Sequence, residues 1–124
     1  MILAVRIQLA LVEDPSTPLS NVRLLLYDRD ENDLDDFLAE GRTNDRGEVL
    51  LSFDSDRYTD QEDHEKWRIE SLPDLYVLVY GSDGEMIHST RAKAQIDKLP
   101  RVIQVAIPSE LALEQGLIKS ADNP

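Results

Sequence analysis

The sequence predicts an all-β fold, a seven-stranded antiparallel β-sandwich followed by a short C-terminal helix or tail. Three observations predict it. Apolar residues alternate with polar ones in short runs, the period of a half-buried strand. Turn-forming Pro, Asn, Asp and Gly separate those runs at hairpin-like spacing. Almost no stretch carries helical periodicity. A chain of 124 residues, 41% of them apolar, fits one domain with a substantial core.

Each element can be placed in order. Leu3, Val5, Ile7, Leu9 and Leu11 share one face of the first strand, with Arg6 and Gln8 on the other. Glu13 to Pro18 is a loop whose two prolines cannot join a ladder. Val22, Leu24 and Leu26 alternate in a second strand, and Phe37 to Thr43 forms a third, with a helical turn at Leu38-Ala39-Glu40 as the alternative. Asn44-Asp45-Arg46-Gly47 is a tight turn, with Asn and Asp favouring its start and Gly tolerating positive φ. Val49, Leu51 and Phe53 alternate in the fourth strand. After a long insert at 54–73, Leu75 to Tyr80 is apolar on both faces and reads as a central strand covered on both sides. Ser82-Asp83-Gly84 turns it into Glu85 to Ser89, and Val102 to Ile107 closes the set. Residues 1–108 thus form the sandwich. Residues 109–124 form a short helix within Ser109 to Ile118, capped by Ser109 and loosened at Gly116, followed by a disordered tail at 120–124.

Charge is the strongest compositional feature. Twenty-five acids against thirteen bases leave a formal net charge of −12. Two windows, Asp28 to Asp36 and Asp54 to Glu65, hold twelve acids and two arginines, and so ten of the twelve net charges. The rest is nearly balanced, with a short basic stretch at Arg91, Lys93, Lys98 and Arg101. This balance argues against nucleic acid and anionic membranes as partners, since both would be repelled. Arg6 and Gln8 interrupt the apolar start, so no signal peptide is expected, and no run approaches the roughly 18 apolar residues of a membrane span. The expected location is cytoplasmic.

If successive strands alternate direction, the connections 11–20, 44–47 and 81–84 fall at one end of the sandwich. Those at 28–36, 54–73 and 90–100 fall at the other, which brings both acidic windows to one pole beside Asp74. Carboxylates gathered there would repel one another, and a hard dication offsets such repulsion because Ca²⁺ takes oxygen ligands. Asp28, Asp30 and Asp36 stand at i, i+2 and i+8 on a loop leaving a strand. They are the expected direct ligands of Ca²⁺, with Asp54, Asp56 and Asp74 completing the shell. An EF-hand fits poorly, since Asp33 replaces its Gly and Ala39 its bidentate Glu. A solvated, metal-free acidic face is the alternative.

Leu26-Tyr27-Asp28-Arg29-Asp30, followed by Leu34-Asp35-Asp36-Phe37-Leu38 and the Thr43-Asn44-Asp45-Arg46-Gly47 turn, resembles the signature of bacterial and nematode transthyretin-like domains. Ser71-Leu72-Pro73-Asp74-Leu75-Tyr76-Val77 resembles a later strand entry of the bacterial members. The resemblance covers roughly residues 2–107 and implies a prealbumin-like sandwich. The 27–38 segment is also similar to a calcium loop of C2 domains. That similarity implies only the ligand spacing, because too few residues precede Asp28 for the rest of a C2 fold. The hydroxyisourate hydrolases of the transthyretin fold carry an N-terminal His, an Arg, a second His and a C-terminal Tyr-Arg-Gly-Ser. Here His64 and His88 are the only histidines, and that pattern is absent.

No enzyme is expected. The chain has no cysteine, no third nitrogen or sulfur ligand for zinc, and no Gly-rich phosphate motif among five glycines. The expected function is a non-catalytic protein-interaction module, an adaptor or accessory subunit with an acidic, calcium-organised pole. Three surfaces could dock a protein partner: an edge strand at Met1 to Leu9 or Val102 to Ile107, the acidic pole, and the 109–118 tail, with homo-oligomerisation open. Packing of the tail onto its own sandwich is the alternative for the last. From another class, a small-molecule or carbohydrate binder or hydrolase would use the 54–73 loop as a lid over Trp67, near Tyr27 and Tyr58.

Overall fold

A computed structural model describes residues 1–30, 34–58, 72–96 and 98–118. The strands are β1 (Ile2–Leu11), β2 (Arg23–Asp28), β3 (Asp36–Arg42), β4 (Glu48–Asp54), β5 (Leu75–Tyr80), β6 (Met86–Ser89) and β7 (Val102–Ile107). They form a three-stranded sheet in the order β4-β1-β7 and a four-stranded sheet in the order β3-β2-β5-β6. The two sheets face each other across one core. Val5, Ile7, Leu9, Leu51, Phe53, Ile103, Val105 and Ile107 come from the first sheet; Leu24, Leu26, Leu38, Leu75, Val77 and Val79 come from the second. The period-two pattern accounts for this, because alternate side chains of each strand turn to the same face.

The sandwich is not wholly antiparallel. β1 pairs with β4 antiparallel but with β7 parallel, Arg6 to Leu11 lying opposite Val102 to Ile107. The cause is parity: strands that alternate direction leave the first and seventh pointing the same way, and here they are neighbours. β1 is therefore the central strand of its sheet, which corrects the expectation that Met1 to Leu9 is an edge. Among the described residues the outer strands of this sheet are β4 and β7.

The loops sort as alternation requires. At one end, Gly47 lies against Leu9 and Pro18, and its carbonyl accepts the Leu9 N–H at 2.7 Å. The turn itself is fixed by Asn44, whose Oδ1 accepts the N–H groups of Arg46 and Glu48 at 2.8 and 3.1 Å. Gly47 has φ 71°, and a Cβ there would stand 2.4 Å from the Leu9 carbonyl oxygen. Gly84 also has positive φ, 88°, but a Cβ there meets nothing within 4 Å. Gly47→Ala should therefore cost about 3 kcal/mol or more, from conformational strain plus a backbone clash, whereas Gly84→Ala costs about 1 kcal/mol from strain alone. Urea unfolding midpoints of the two variants check the difference.

The C-terminal helix α1 covers Ser109–Glu114, shorter than the expected 109–118. Its N-cap is Pro108 rather than Ser109. Ser109 instead donates through its N–H (2.9 Å) and its Oγ (2.5 Å) to the Glu13 carboxylate. Gly116 at φ 71° ends the helix, with Leu117 N–H donating to the Ala112 carbonyl at 2.8 Å. Ala112 is buried, and Leu117 and Ile118 pack on the core, so the described part of the tail lies on its own sandwich. The expected disordered end, 120–124, falls outside the described residues. Among the described residues no helix is long and apolar enough to cross a membrane.

Candidate functional site

The acidic end is built from the ends of β2, β3 and β5. β2 finishes at Asp28, opposite Asp36 of β3 and Leu75 of β5. Asp28 is only 8% exposed. Its Oδ1 accepts the Asp74 N–H at 2.7 Å, while Arg29 N–H donates to the Asp74 carbonyl at 2.9 Å, so the pair clamps the entry of β5 to the exit of β2. Burial pushes the Asp28 carboxyl up to about 6; the Asp74 N–H opposes this, and the charges of Asp74, Asp36 and Asp30 add to the rise.

Next to it stands a second carboxylate with the opposite character. Asp35 accepts from Arg91 Nε at 2.7 Å and Nη2 at 3.2 Å, from the Tyr76 hydroxyl at 2.5 Å and from Asp30 N–H at 3.0 Å. The Arg91 guanidinium holds its carboxyl well below the usual range, against a partial desolvation cost. Tyr76 stacks on Tyr27 at 5.6 Å, and Tyr27 meets the edge of Phe37 at 5.6 Å. This clasp fastens the β2–β3 connection to the segment after β6. Asp35 lies outside the i, i+2, i+8 pattern, one residue before its last member, so ligand spacing passes over it. The signal for it was the basic stretch beginning at Arg91, which faces an acid of this window.

Asp54 and Asp56 belong to another group. Asp54 ends β4 and accepts the Asp56 N–H at 3.1 Å and the Met1 ammonium at 3.2 Å. These contacts, the N–H first, hold its carboxyl below the usual value, with Arg57 adding to the effect. Of the six carboxylates expected to bind Ca²⁺, Asp28, Asp30, Asp36 and Asp74 thus gather at the end of one sheet. Asp54 and Asp56 follow a strand of the other, and facing sheets stand about 10 Å apart. Calcium ligands must converge to within about 2.5 Å of the ion. Among the described residues no group of three or more His, Asp or Glu side chains is placed to hold a metal.

Of the aromatic residues expected near a lid, Tyr58 packs edge-on against Phe53 at 6.2 Å and Tyr27 is held in the row just described. Trp67, His64 and the acids from Asp60 to Glu65 fall outside the described residues. His88, on β6, is half-buried, and burial, together with the Lys93 ammonium, lowers its pKa.

The other distinctive surface is the β7 edge. The carbonyls of Arg101 and Ile107 accept the N–H groups of Arg6 and Val12 on the β1 side. Main-chain groups alternate along a strand, so those of Val102, Gln104 and Ala106 turn to the open side. A groove lies on each face of this edge. One, of about 410 Å³, is lined by Gln8, Ala10, Val12, Pro15, Gln104 and Ala106 among others. The second, of about 390 Å³, opens between β7 and β6 and includes His88, Thr90, Ala92, Lys93 and Val105. Among the described residues no carboxylate lines either groove. Val102 to Ile107 is one of the two strands expected to offer an edge, and strand order places it, unlike Met1 to Leu9, at the edge of its sheet.

No family model matches the chain, and no curated protein matches it either. Among solved structures, a 9R-lipoxygenase from Cyanothece is similar at 19% identity and a TM-score of 0.48, covering 86% of this chain. The chain spans 16% of that protein's length.

Proposed function

We propose that the chain is a non-catalytic protein-interaction module, of adaptor or accessory type, that takes up an extended segment of a protein partner as an added strand beside β7. We read its scaffold as a seven-stranded, transthyretin-like sandwich. The observation that carries the proposal is the β7 edge, six residues long with its outward main-chain groups flanked by a groove on each face. An added strand sends alternate side chains to opposite faces, one set into each groove. Main-chain hydrogen bonds would supply affinity at about 1 kcal/mol each, and the grooves would supply specificity. Lys93 on the β6 side favours a partner strand with a carboxylate on that face. Strand addition at β7 does not call on calcium, whose expected ligands Asp28, Asp30, Asp36 and Asp74 lie at the end of the other sheet.

The test starts from peptides selected out of a random displayed library on the immobilised chain. Gln104→Pro removes one outward N–H, and an edge strand tolerates proline where its N–H faces solvent. The variant should keep its fold within about 1 kcal/mol and lose at least about tenfold in affinity for the selected peptides. Unchanged affinity in a folded Gln104→Pro chain would place the binding surface elsewhere.

A further inference from the structure

At the end of the sandwich opposite the acidic pole, a groove of about 270 Å³ is lined by Asn21, Arg23, Arg42, Tyr80 and Ser82 among others. Among the described residues no carboxylate lines it, in a chain of net charge −12. Arg23 and Arg42 stand directly opposite each other on β2 and β3. Like charges in that relation repel and weaken a strand pair. Glu40 relieves only one of them, accepting from Arg23 Nε at 3.0 Å. The Arg23 guanidinium also lies 5.0 Å from the centroid of the Tyr80 ring. Arg42 Nη1 donates to the Asn21 carbonyl at 3.2 Å, and among the described residues no carboxylate pairs with the rest of its fork, which lines the groove.

The wall behind the arginines is strained and held. Asn21 has φ 57°, the one non-glycine residue with positive φ among the described residues. It is kept there by its N–H bond to the Thr43 carbonyl at 2.8 Å, and Val22 N–H donates to Thr43 Oγ1 at 3.0 Å. Across the groove, Ser82 Oγ donates to the Gln115 carbonyl at 2.8 Å and ties the turn after β5 to the end of α1. Two guanidiniums side by side on a held backbone, incompletely neutralised, match an oxyanion held by paired forks.

We propose that this groove binds the carboxylate or phosphate group of a small molecule, with Arg42 as the principal donor and Arg23 as the second. The proposal is independent of strand addition at β7, which lies elsewhere on the fold. Filling the groove would turn the Arg23–Arg42 repulsion into a shared attraction.

The test is amide and arginine Nε–H chemical-shift mapping of the full chain at constant ionic strength, titrated in parallel with inorganic phosphate and with acetate. Saturable shifts confined to Asn21, Arg23, Arg42, Ser82 and Gly116 are expected, and the arm that saturates at lower concentration distinguishes phosphate from carboxylate. Arg42→Gln should weaken the binding at least about tenfold while unfolding, in anion-free buffer, at the same or a higher temperature than the parent. Ser20→Asp, which brings a carboxylate to the exposed rim, should weaken it too, and serves if Arg42→Gln does not fold. Non-saturating shifts in both arms, or equal binding by the variants, would overturn the proposal.

Discussion

Thr43→Val should unfold at a markedly lower urea concentration than the parent, with a loss of about 2–4 kcal/mol. Thr43 is buried just past the end of β3. Its Oγ1 donates to the Leu19 carbonyl at 2.6 Å and accepts the Val22 N–H at 3.0 Å. Leu19 and Val22 are 0% and 1% exposed, so water cannot replace the missing hydroxyl. Valine keeps the shape and the β-branch, so what is lost is the pair of hydrogen bonds and what is gained is two buried groups without partners. Thr43→Ser keeps the hydroxyl and should lose only about 1 kcal/mol, for one buried methyl group. Equal stability of the valine and serine variants would remove the hydrogen-bond account.

Asp28→Asn should stabilise the chain above about pH 7, by about 1–2 kcal/mol. The Asp28 carboxyl titrates at about 6 in the fold, against an ordinary 3.8. Between those values the folded chain holds the proton that the unfolded chain has released, so this group makes stability rise as pH falls from about 6 to about 4. Above about pH 6 the fold carries a buried charge beside three other carboxylates and bears the full penalty. Asparagine keeps an oxygen for the Asp74 N–H and removes that charge. Asp35 works in the opposite direction: its lowered pKa contributes stability above the ordinary carboxylate value, and acid removes it. The two are separable, because Asp28→Asn should flatten the stability profile from about pH 4 to 6 and leave the loss at lower pH in place. An unchanged profile between those values would show that Asp28 is not the group responsible.

Much of the architecture was legible because strands write themselves as alternation. Leu75 to Tyr80 and Val102 to Ile107 match β5 and β7 at both ends, and Asn44 to Gly47 is the turn its residues indicate. Pairing was not legible: nothing in residues 2–11 says that β1 lies between β4 and β7, since a buried face looks the same in a central and an edge strand. The helix start was misplaced because Ser109 finds a stronger partner in Glu13, ninety-six residues away in sequence. At the acidic end the sequence places the residues but does not show their hydrogen bonds. The spacing of Asp28, Asp30 and Asp36 suggests one shared ligand shell, but Asp28 is turned to a backbone N–H, and it is Asp35 that collects the side-chain donors. Arg23 and Arg42 lie nineteen positions apart, and only the β2–β3 register sets them face to face.

Amide hydrogen exchange along β7, in the free chain and with a selected peptide bound, tests the central claim most directly. The account predicts slow exchange at Ile103, Val105 and Ile107, whose N–H groups face β1, and fast exchange at Gln104 and Ala106 in the free chain. With peptide bound, Gln104 and Ala106 should become protected while the other strands keep their rates. Protection of Gln104 and Ala106 in the free monomer equal to that of Val105, or no gain on peptide binding, would contradict it.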